Sequence, residues 1–316
     1  MIHAFAIEPQ LVATWGRREE FRFIHDKFGL GTPRVLLELP AFSKWKKAVY
    51  DAATELALSQ EDMKRIEELF RLFSEHKYRR ADAVYDGLLT WLENAEREYA
   101  RRPFAGTLAR QNPRAHAAVL VTEQLSSGSA RWACEVGVSP SRTPEGLTLA
   151  LSAMVTNCRQ LHLVDPHFGP ENARHRRVLE ALMNVLGDGG LTLDLVRVHC
   201  SEKSKLAFFE QEAAKMAARI PSGVSIEFVR WRQKAGGQRL HNRYVLTDIG
   251  GVKLGDGLDD DDGAGANQTD DLNLLTRAQH ELRWAQYVEE NGAFDCVDRP
   301  TTVVGSRVRA AAGGHR

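Results

Sequence analysis

The chain has 316 residues, 43% of them hydrophobic and 27% charged, and its 42 basic and 42 acidic side chains cancel. This length and hydrophobic fraction predict two globular domains with packed cores. Because the net charge is zero, no whole-protein field draws in polyanions, and any phosphate binding must come from local basic patches.

The first domain is predicted over residues 1–110. A short strand over Val35–Leu39 ends at Pro40, and apolar residues then recur three and four apart, which is the helical period. Ser59 is placed as the N-cap of the second of three helices. The third helix is predicted to carry Val84, Leu88, Leu89, Trp91, Leu92 and Tyr99. We therefore expect a mostly helical domain that docks a protein partner.

Periodicity is lost between Pro103 and Pro113, which predicts a linker to a second domain over residues 116–303. The predicted strands there are 117–122, 161–165, 191–199 and 224–230, and the predicted helices are 145–158, 172–186, 202–219 and 272–288. This alternation predicts an α/β domain with a largely parallel sheet covered by helices on both faces. Residues 304–316 are predicted to be a disordered tail.

One segment of the second domain contains candidate catalytic residues. His241, Arg243 and Asp248 stand at the spacing H-x-R-x4-D inside an apolar strand. Residues two apart on a strand point to the same face, so His241 and Arg243 can reach one phosphate. A histidine can attack phosphorus, a guanidinium can hold two phosphate oxygens, and a carboxylate can orient an imidazole. The pattern predicts a phosphodiester site.

With lysine in its second slot this pattern is the signature of the phospholipase D superfamily, which the chain resembles. The turn, strand and glycine-bracketed loop over 249–259 follow in the order of that family, and the strand before Asp165 and His167 resembles its "strand, D-P-[YH], helix" opening. The resemblance covers roughly residues 116–300. It is most specific to the phospholipase D-like module at the C-terminus of eukaryotic MIT-domain proteins.

The resemblance implies a phospholipase D-like α/β fold and metal-independent chemistry through a phosphohistidine. His241 would attack phosphorus, Arg243 would hold the phosphate, and Asp248 would support an imidazole. The superfamily builds one site from two motif copies, and this chain has one copy. The resemblance therefore implies a homodimer in which His241 faces His241, and His167 is the alternative second histidine within one subunit.

The glycine loop departs from the family pattern G-[SG]-x-N. Asp256 stands in the serine or glycine slot and Leu258 in the asparagine slot. These departures favour a module that binds a nucleic acid, an acidic lipid or a protein partner without turnover, as a scaffold or accessory subunit. The intact His241, Arg243 and Asp248 favour a phosphodiesterase or nuclease. Because single-motif relatives occur in prokaryotic restriction and defence systems, the resemblance also suggests an anti-phage setting.

Other polar residues are expected near the motif, because ligands gather at the carboxyl ends of parallel strands. Asp165, His199, Arg230 and Asp248 fall at predicted strand ends. Trp231 lies between two arginines, so we expect arginines to meet phosphates and Trp231 to stack on a nucleic-acid base. The candidate ligand-binding residues beside the motif are Asp165, His167, Arg230, Trp231, Gly255 and Asp256.

No metal or cofactor is expected. The acidic run 259–262 lacks the spacing of a calcium loop and is predicted to be a flexible loop. The four cysteines are far apart and are predicted to be reduced thiols without a zinc site. The N-terminus lacks a basic start, and no apolar run approaches the ~18 residues of a membrane helix. We expect a cytoplasmic protein without integral membrane association.

Overall fold

The computed structural model describes residues 1–80, 82–125, 129–186, 193–261 and 267–308. The chain divides into two compact units, Met1–Val136 and Gly137–Arg316. Each unit has a sheet of its own. In the described residues, no helix is both long and apolar enough to cross a membrane.

The first unit is an α/β unit. Its strands are β1 (His3–Ile7), β2 (Arg34–Leu37), β3 (Lys77–Tyr78), β4 (Gly106–Leu108) and β5 (Val119–Leu120). Its helices are α1 (Pro9–Thr14), α2 (Arg18–His25), α3 (Phe42–Glu55), α4 (Gln60–Glu75) and α5 (Trp91–Arg101), and a 3₁₀ turn spans Thr122–Gln124. All strand pairs are parallel, in the order β3-β2-β1-β4-β5.

The sequence accounts for these elements locally. The strand β2 is buried at every position, which is typical of a parallel sheet covered on both faces. The Ser59 hydroxyl accepts a hydrogen bond from the Asp62 amide and caps α4, as predicted. Thr90 and Glu93 form a reciprocal capping box that begins α5.

Three expectations for the first unit differ from the structure. The unit contains a five-stranded sheet beside its helices, and it extends to Val136 rather than to residue 110. The predicted linker contains β4, and the strand predicted to open the second domain is β5 of the first. The third helix begins at Trp91, because the capping box sets its start. Val84 and Leu88 precede it and are exposed.

The second unit has nine strands in its described residues: β6 (Gly137–Val138), β7 (Gln160–Val164), β8 (Leu195–Ser201), β9 (Ser225–Gln233), β10 (Arg243–Thr247), β11 (Gly250–Leu254), β12 (Leu272–Leu274), β13 (Phe294–Cys296) and β14 (Thr301–Val304). Its helices are α6 (Pro144–Val155), α7 (Ala173–Leu186), α8 (Leu206–Ala214) and α9 (Arg277–Tyr287), with a 3₁₀ turn at Lys215–Ala218.

These strands form one mixed sheet in the order β13-β9-β8-β7-β10-β11-β12-β6, with β14 also paired to β9. Among the described strands of this sheet, the parallel pairs are β7 with β8 and β8 with β9. The prediction of a largely parallel sheet is therefore wrong for the motif strand β10, which is antiparallel to both β7 and β11. The connection from β9 to β10 spans only residues 234–242 and the turn from Thr247 to Gly250 makes a hairpin, whereas a parallel strand needs a crossover of about a dozen or more residues.

The two faces of this sheet carry different side chains. His162, Val164, Tyr244 and Leu246 share one face, because Tyr244 pairs with Val164 and Leu246 with His162. That face packs against Trp284 and Tyr287 of α9. Leu163 and Asp165 point to the opposite face, where Asp165 meets α7.

The predicted tail starts too early in the chain. Val304 ends β14, and the next residues are bonded to the unit. The Ser306 amide donates to the Ala217 carbonyl at 2.9 Å, and the Arg307 amide donates to the Ile220 carbonyl at 3.0 Å. The rest of the predicted tail, residues 309–316, lies outside the described residues.

Candidate functional site

The motif's histidine and arginine lie beside the end of β7. Because β10 runs antiparallel to β7, the start of β10 at Arg243 is adjacent to the residues that follow Val164. Those residues are Asp165, Pro166 and His167. One edge of the second sheet thus brings His241 and Arg243 together with Asp165 and His167, as the sequence predicted.

Two histidines of the same subunit face each other at this edge. The ring centroids of His167 and His241 are 6.3 Å apart and their planes are perpendicular. Both residues are exposed, so a ligand can reach them from solvent. The ammonium of Lys203, which follows β8, lies 2.5 Å from Nδ1 of His167. Two imidazoles and a cation are therefore close enough to contact one phosphate.

The buried carboxylate of Asp165 connects the residues at this edge of the sheet. Its side chain is 1% exposed. One carboxylate oxygen accepts from the His167 amide at 2.8 Å, and the other accepts from the Leu258 amide at 2.9 Å. Nε of Arg243 and Nε2 of His175 lie 3.8 and 3.9 Å from the carboxylate. A buried carboxylate needs such partners, and here they fix His167, Arg243 and the glycine loop in one arrangement.

The glycine loop approaches the site closely at Gly257. Its φ is +132°, and a Cβ there would lie 2.7 Å from the Asp165 carboxylate and 3.1 Å from Cδ of Arg243. Any larger residue is excluded by these distances and by the backbone conformation. Nη1 of Arg243 donates to the Gly255 carbonyl at 3.3 Å, so this loop also positions the guanidinium.

Asp270 anchors the loop from the other side. One of its oxygens accepts from the amides of Gly255 and Asp256, each at 3.0 Å. Its carboxyl group is buried, and this burial raises its pKa. Asp270 was not among the predicted site residues, and it reaches the loop through the pairing of β11 with β12.

Leu258 and Asp256, the two departures from the family pattern, lie in different surroundings. The Leu258 side chain is 3% exposed and belongs to the core, while its amide serves Asp165. Asp256 is 61% exposed and lies 3.2 Å from Nη1 of Arg142. The negative charge of Asp256 is therefore paired with an arginine.

Two residues of the acidic run, Asp259 and Asp260, form ion pairs with arginines. Asp259 bridges Nη2 of Arg142 at 2.6 Å and Nη2 of Arg174 at 2.8 Å. Asp260 receives two bonds from Arg177, at 2.5 and 2.8 Å. The prediction of a flexible loop is wrong for these two residues, because arginines of α7 and the segment before α6 pair with them. Residue 262 lies outside the described residues.

Asp248 does not join the site. It follows the far end of β10, where its carboxylate accepts from the amides of Arg159 and Gln160 at 2.8 and 3.1 Å. Those residues lie at the start of β7, a whole strand away from Asp165. The predicted support of an imidazole by Asp248 is wrong, because β10 is antiparallel to β7. Asp248 joins the two strands instead.

Arg230 and Trp231 are also structural. The Arg230 side chain is 5% exposed, bonds Asp298 at 2.8 Å and the Ser204 carbonyl at 2.5 Å, and lies over the Phe209 ring. Trp231 is 2% exposed, so it cannot stack on a nucleic-acid base as predicted. Successive residues of β9 point to opposite faces, and both faces are covered at these positions.

Trp231 begins a buried chain of rings on the α9 face. Its indole N–H donates to Nδ1 of His199 at 3.0 Å, and Nε2 of His199 lies 3.0 Å from Nδ1 of His162. Because Nδ1 of His199 accepts, its Nε2 must carry the proton and donate to His162. Burial lowers the pKa of both histidines, that of His162 to about 4.

These histidines predict acid sensitivity. The folded protein holds His162 with a pKa of about 4, below its ordinary 6.5, so the unfolded chain takes up the proton first. The contribution of His162 to the free energy of unfolding is therefore fully present above about pH 6.5. It falls by about 3 kcal/mol as the pH is lowered toward 4. Urea unfolding at pH 7.5 and 4.5 measures this. His162→Gln should shrink the difference between the two pH values, and an unchanged difference contradicts the assignment.

Burial also lowers the pKa of His167 at the site, and Lys203 lowers it further, while Asp165 opposes both effects. Burial lowers the pKa of His175 as well, again opposed by Asp165. Lys203 and His175 were not singled out in the sequence. Lys203 follows β8, the parallel neighbour of β7, so the rule of carboxyl strand ends could have found it.

In the part of the chain that the structure describes, no group of three or more histidine, cysteine, aspartate or glutamate side chains is arranged to hold a metal ion.

Comparison with known proteins gives distant structural likenesses. No family model matches the chain, and no curated protein matches it. Nuc from Salmonella typhimurium, a phospholipase D family member, is similar over 51% of this chain and 97% of its own, with 7% identity and a TM-score of 0.33. TrmBL2, an archaeal chromatin protein with a novel mode of DNA binding, is similar over 51% of this chain and 54% of its own, with 12% identity and a TM-score of 0.27. At these scores the candidate site rests on its own geometry.

Proposed function

We propose that this protein is a metal-independent phosphodiesterase or nuclease of the phospholipase D type, in which one subunit supplies both histidines. The observation that carries the proposal is the perpendicular pair His167 and His241, 6.3 Å apart beside Lys203 and Arg243. The site needs no second subunit for its second histidine. The homodimer expected from the sequence remains a prediction that this chemistry does not require.

The proposed reaction has two steps. A ring nitrogen of His241 attacks phosphorus, the bond to the leaving oxygen breaks, and that oxygen takes a proton from His167. Water then attacks the phosphohistidine, gives its proton to His167, and the P–N bond breaks to restore both side chains. Arg243 and Lys203 neutralise the phosphate oxygens throughout. Asp165 keeps His167, Arg243 and the loop in position.

Nucleic acid is the substrate class we favour. The two histidines are exposed at the sheet edge, and the neighbouring segment 235–239, which includes Arg239, is exposed as well. An extended phosphodiester chain can reach such a rim, and basic residues beside it would contact adjacent phosphates. An anti-phage role in a prokaryote is the setting suggested by the motif resemblance, and it belongs to the same proposal.

The direct test is hydrolysis in EDTA. Purified protein is incubated with single- and double-stranded DNA, RNA and bis(p-nitrophenyl) phosphate, beside His241→Ala. We expect EDTA-resistant cleavage that the variant lacks. Cleavage that requires a divalent metal, or that persists in His241→Ala, contradicts the mechanism.

Asp248→Asn supplies a matched control within the motif. The asparagine oxygen can still accept from the Arg159 and Gln160 amides, and the residue lies away from the histidines. We therefore expect wild-type hydrolysis rates in this variant. A large loss of activity with an unchanged melting temperature would restore the catalytic role predicted from the sequence.

Lys203→Met tests the role of His167 through pH. As the general acid, His167 must be protonated in the free enzyme, and its lowered pKa places the alkaline limb of kcat/KM below pH 6.5. Removing the cation at residue 203 raises that pKa, so the alkaline limb should move to higher pH even if the maximum rate falls. If the alkaline limb of kcat/KM lies at the same pH in Lys203→Met as in the wild type, His167 is not the general acid.

A binding module without turnover is the second candidate. The observation in its favour is that Leu258 fills the core where the family pattern has an asparagine. In that case fluorescence anisotropy detects DNA or RNA binding that His241→Ala and Arg243→Ala weaken, while no substrate is cleaved.

A further inference from the structure

The first unit has the topology of a ligand-binding sheet. Its five parallel strands run in the order β3-β2-β1-β4-β5, so the chain fills one side of β1 and then crosses to the other side. Crossovers of this kind are right-handed, which puts the helices before and after the reversal on opposite faces. The chain segments that follow β1 and β4 therefore leave the sheet toward opposite faces, and they separate at the carboxyl ends of these two strands. In open α/β sheets ligands bind in the crevice at that point.

A crevice is present at this place. It has a volume of about 270 Å³ and is lined by Glu8, Leu92, Arg110, Gln111 and Pro113. The two strands stay paired to their ends, since Ile7 lies opposite Leu108 and the Glu8 amide donates to the Leu108 carbonyl at 2.9 Å. Glu8 and Arg110 are thus the residues at which the two chain segments diverge.

The lining combines charges of both signs. The Glu8 side chain is 15% exposed, and its Oε2 accepts from the Arg110 amide at 2.7 Å and lies 3.5 Å from the Arg110 guanidinium. In the described residues its Oε1 accepts no hydrogen bond, which leaves an anionic acceptor for a ligand hydroxyl. The Arg110 side chain is half exposed and remains open to an anion.

We propose that the first unit binds a mononucleotide in this crevice. Ribose hydroxyls would donate to Oε1 of Glu8, the phosphate would pair with Arg110, and the base would lie against the apolar surfaces of Leu92 and Pro113. The crevice lies just below the ~300 Å³ lower end of ligand pockets, which favours a mononucleotide over a dinucleotide. This proposal does not depend on the phosphodiester site of the second unit.

Two variants separate the ligand contacts from folding. Glu8→Gln keeps an oxygen for the Arg110 amide but removes the charged acceptor. Arg110→Ala keeps the amide bond to Glu8 and removes the cation. Arg79→Ala is the matched control, because Arg79 is an exposed arginine that lines a different crevice, of about 180 Å³, beside the ends of β2 and β3.

The test is isothermal titration calorimetry of the full chain with AMP, GMP, CMP and UMP, and with adenosine. His241→Ala serves as the background, so that phosphate binding in the second unit is reduced. We expect one saturable site per chain for at least one mononucleotide. Glu8→Gln should weaken it about 10- to 100-fold, as expected for a charged hydrogen bond. Arg110→Ala should weaken the nucleotide more than the nucleoside, and Arg79→Ala should change neither.

Two results would overturn the proposal. One is the absence of saturable binding for all four mononucleotides at millimolar concentration. The other is binding that Glu8→Gln and Arg110→Ala leave unchanged while their melting temperatures match the parent, which would place the ligand elsewhere. Binding of a pyrimidine nucleotide in place of AMP supports the proposal and identifies the base.

Discussion

We expect His167→Ala to lower kcat for phosphodiester hydrolysis by about 10²–10⁴-fold, because in the proposed mechanism the leaving oxygen loses its proton donor. His241→Ala should lower it at least as far, since the proposed covalent intermediate cannot form. Both side chains are exposed, so neither change should affect folding. The measurement is steady-state cleavage of a DNA oligonucleotide in EDTA, with melting temperatures recorded in parallel.

Bis(p-nitrophenyl) phosphate can separate the roles of His167 and His241. Its p-nitrophenolate leaves without a proton, so His167→Ala should lose less activity on this substrate than on DNA, whose leaving alkoxide needs one. A site made of two facing His241 side chains gives a different result, because His167→Ala then keeps full activity on both substrates. That outcome would favour the homodimer expected from the sequence.

Asp165→Ala destabilises the second unit by about 3–5 kcal/mol, in the range seen when one partner of a buried charge network is removed. The change leaves the His167 and Leu258 amides without their acceptor and removes the negative charge nearest to Arg243. Urea unfolding at pH 7.5 measures the loss.

Asp256→Ala is the control for that experiment. Asp256 is mostly exposed, and its ion pair with Arg142 lies at the surface, so the free energy of unfolding should change by less than about 1 kcal/mol. Equal effects of the two substitutions contradict the role assigned to Asp165. Asp165→Asn, which keeps one acceptor oxygen, should fall between them.

The sequence predicted the part of the site that depends on adjacent residues. His241 and Arg243 share a strand start, and Asp165 and His167 share a strand end, so local pattern was enough to single out all four. Their mutual approach follows from the pairing of β10 with β7. The same pairing places Asp248 away from the site, because the carboxyl end of an antiparallel β10 lies beside the start of β7 rather than beside its carboxyl end.

Other features depend on long-range packing. The register of β9 buries Arg230 and Trp231 between the sheet and its helices, and a run of basic residues around them gives no sign of this. Lys203, His175 and Asp270 reach the site from separate elements. In the first unit the strands are two to five residues long, which is too short for a clear alternating pattern. The helical period of the longer segments therefore dominated the prediction, and the parallel sheet was not predicted.

A search for the covalent intermediate tests the proposed mechanism most directly. Wild-type protein is mixed with a labelled oligonucleotide in EDTA, quenched in alkali, where phosphohistidine survives, and mapped by peptide mass spectrometry. We expect an adduct on the peptide containing His241, in which the phosphorus is bonded to the imidazole and still esterified to one oligonucleotide fragment, and we expect none in His241→Ala. Turnover without an adduct, or an adduct on another residue, would contradict it.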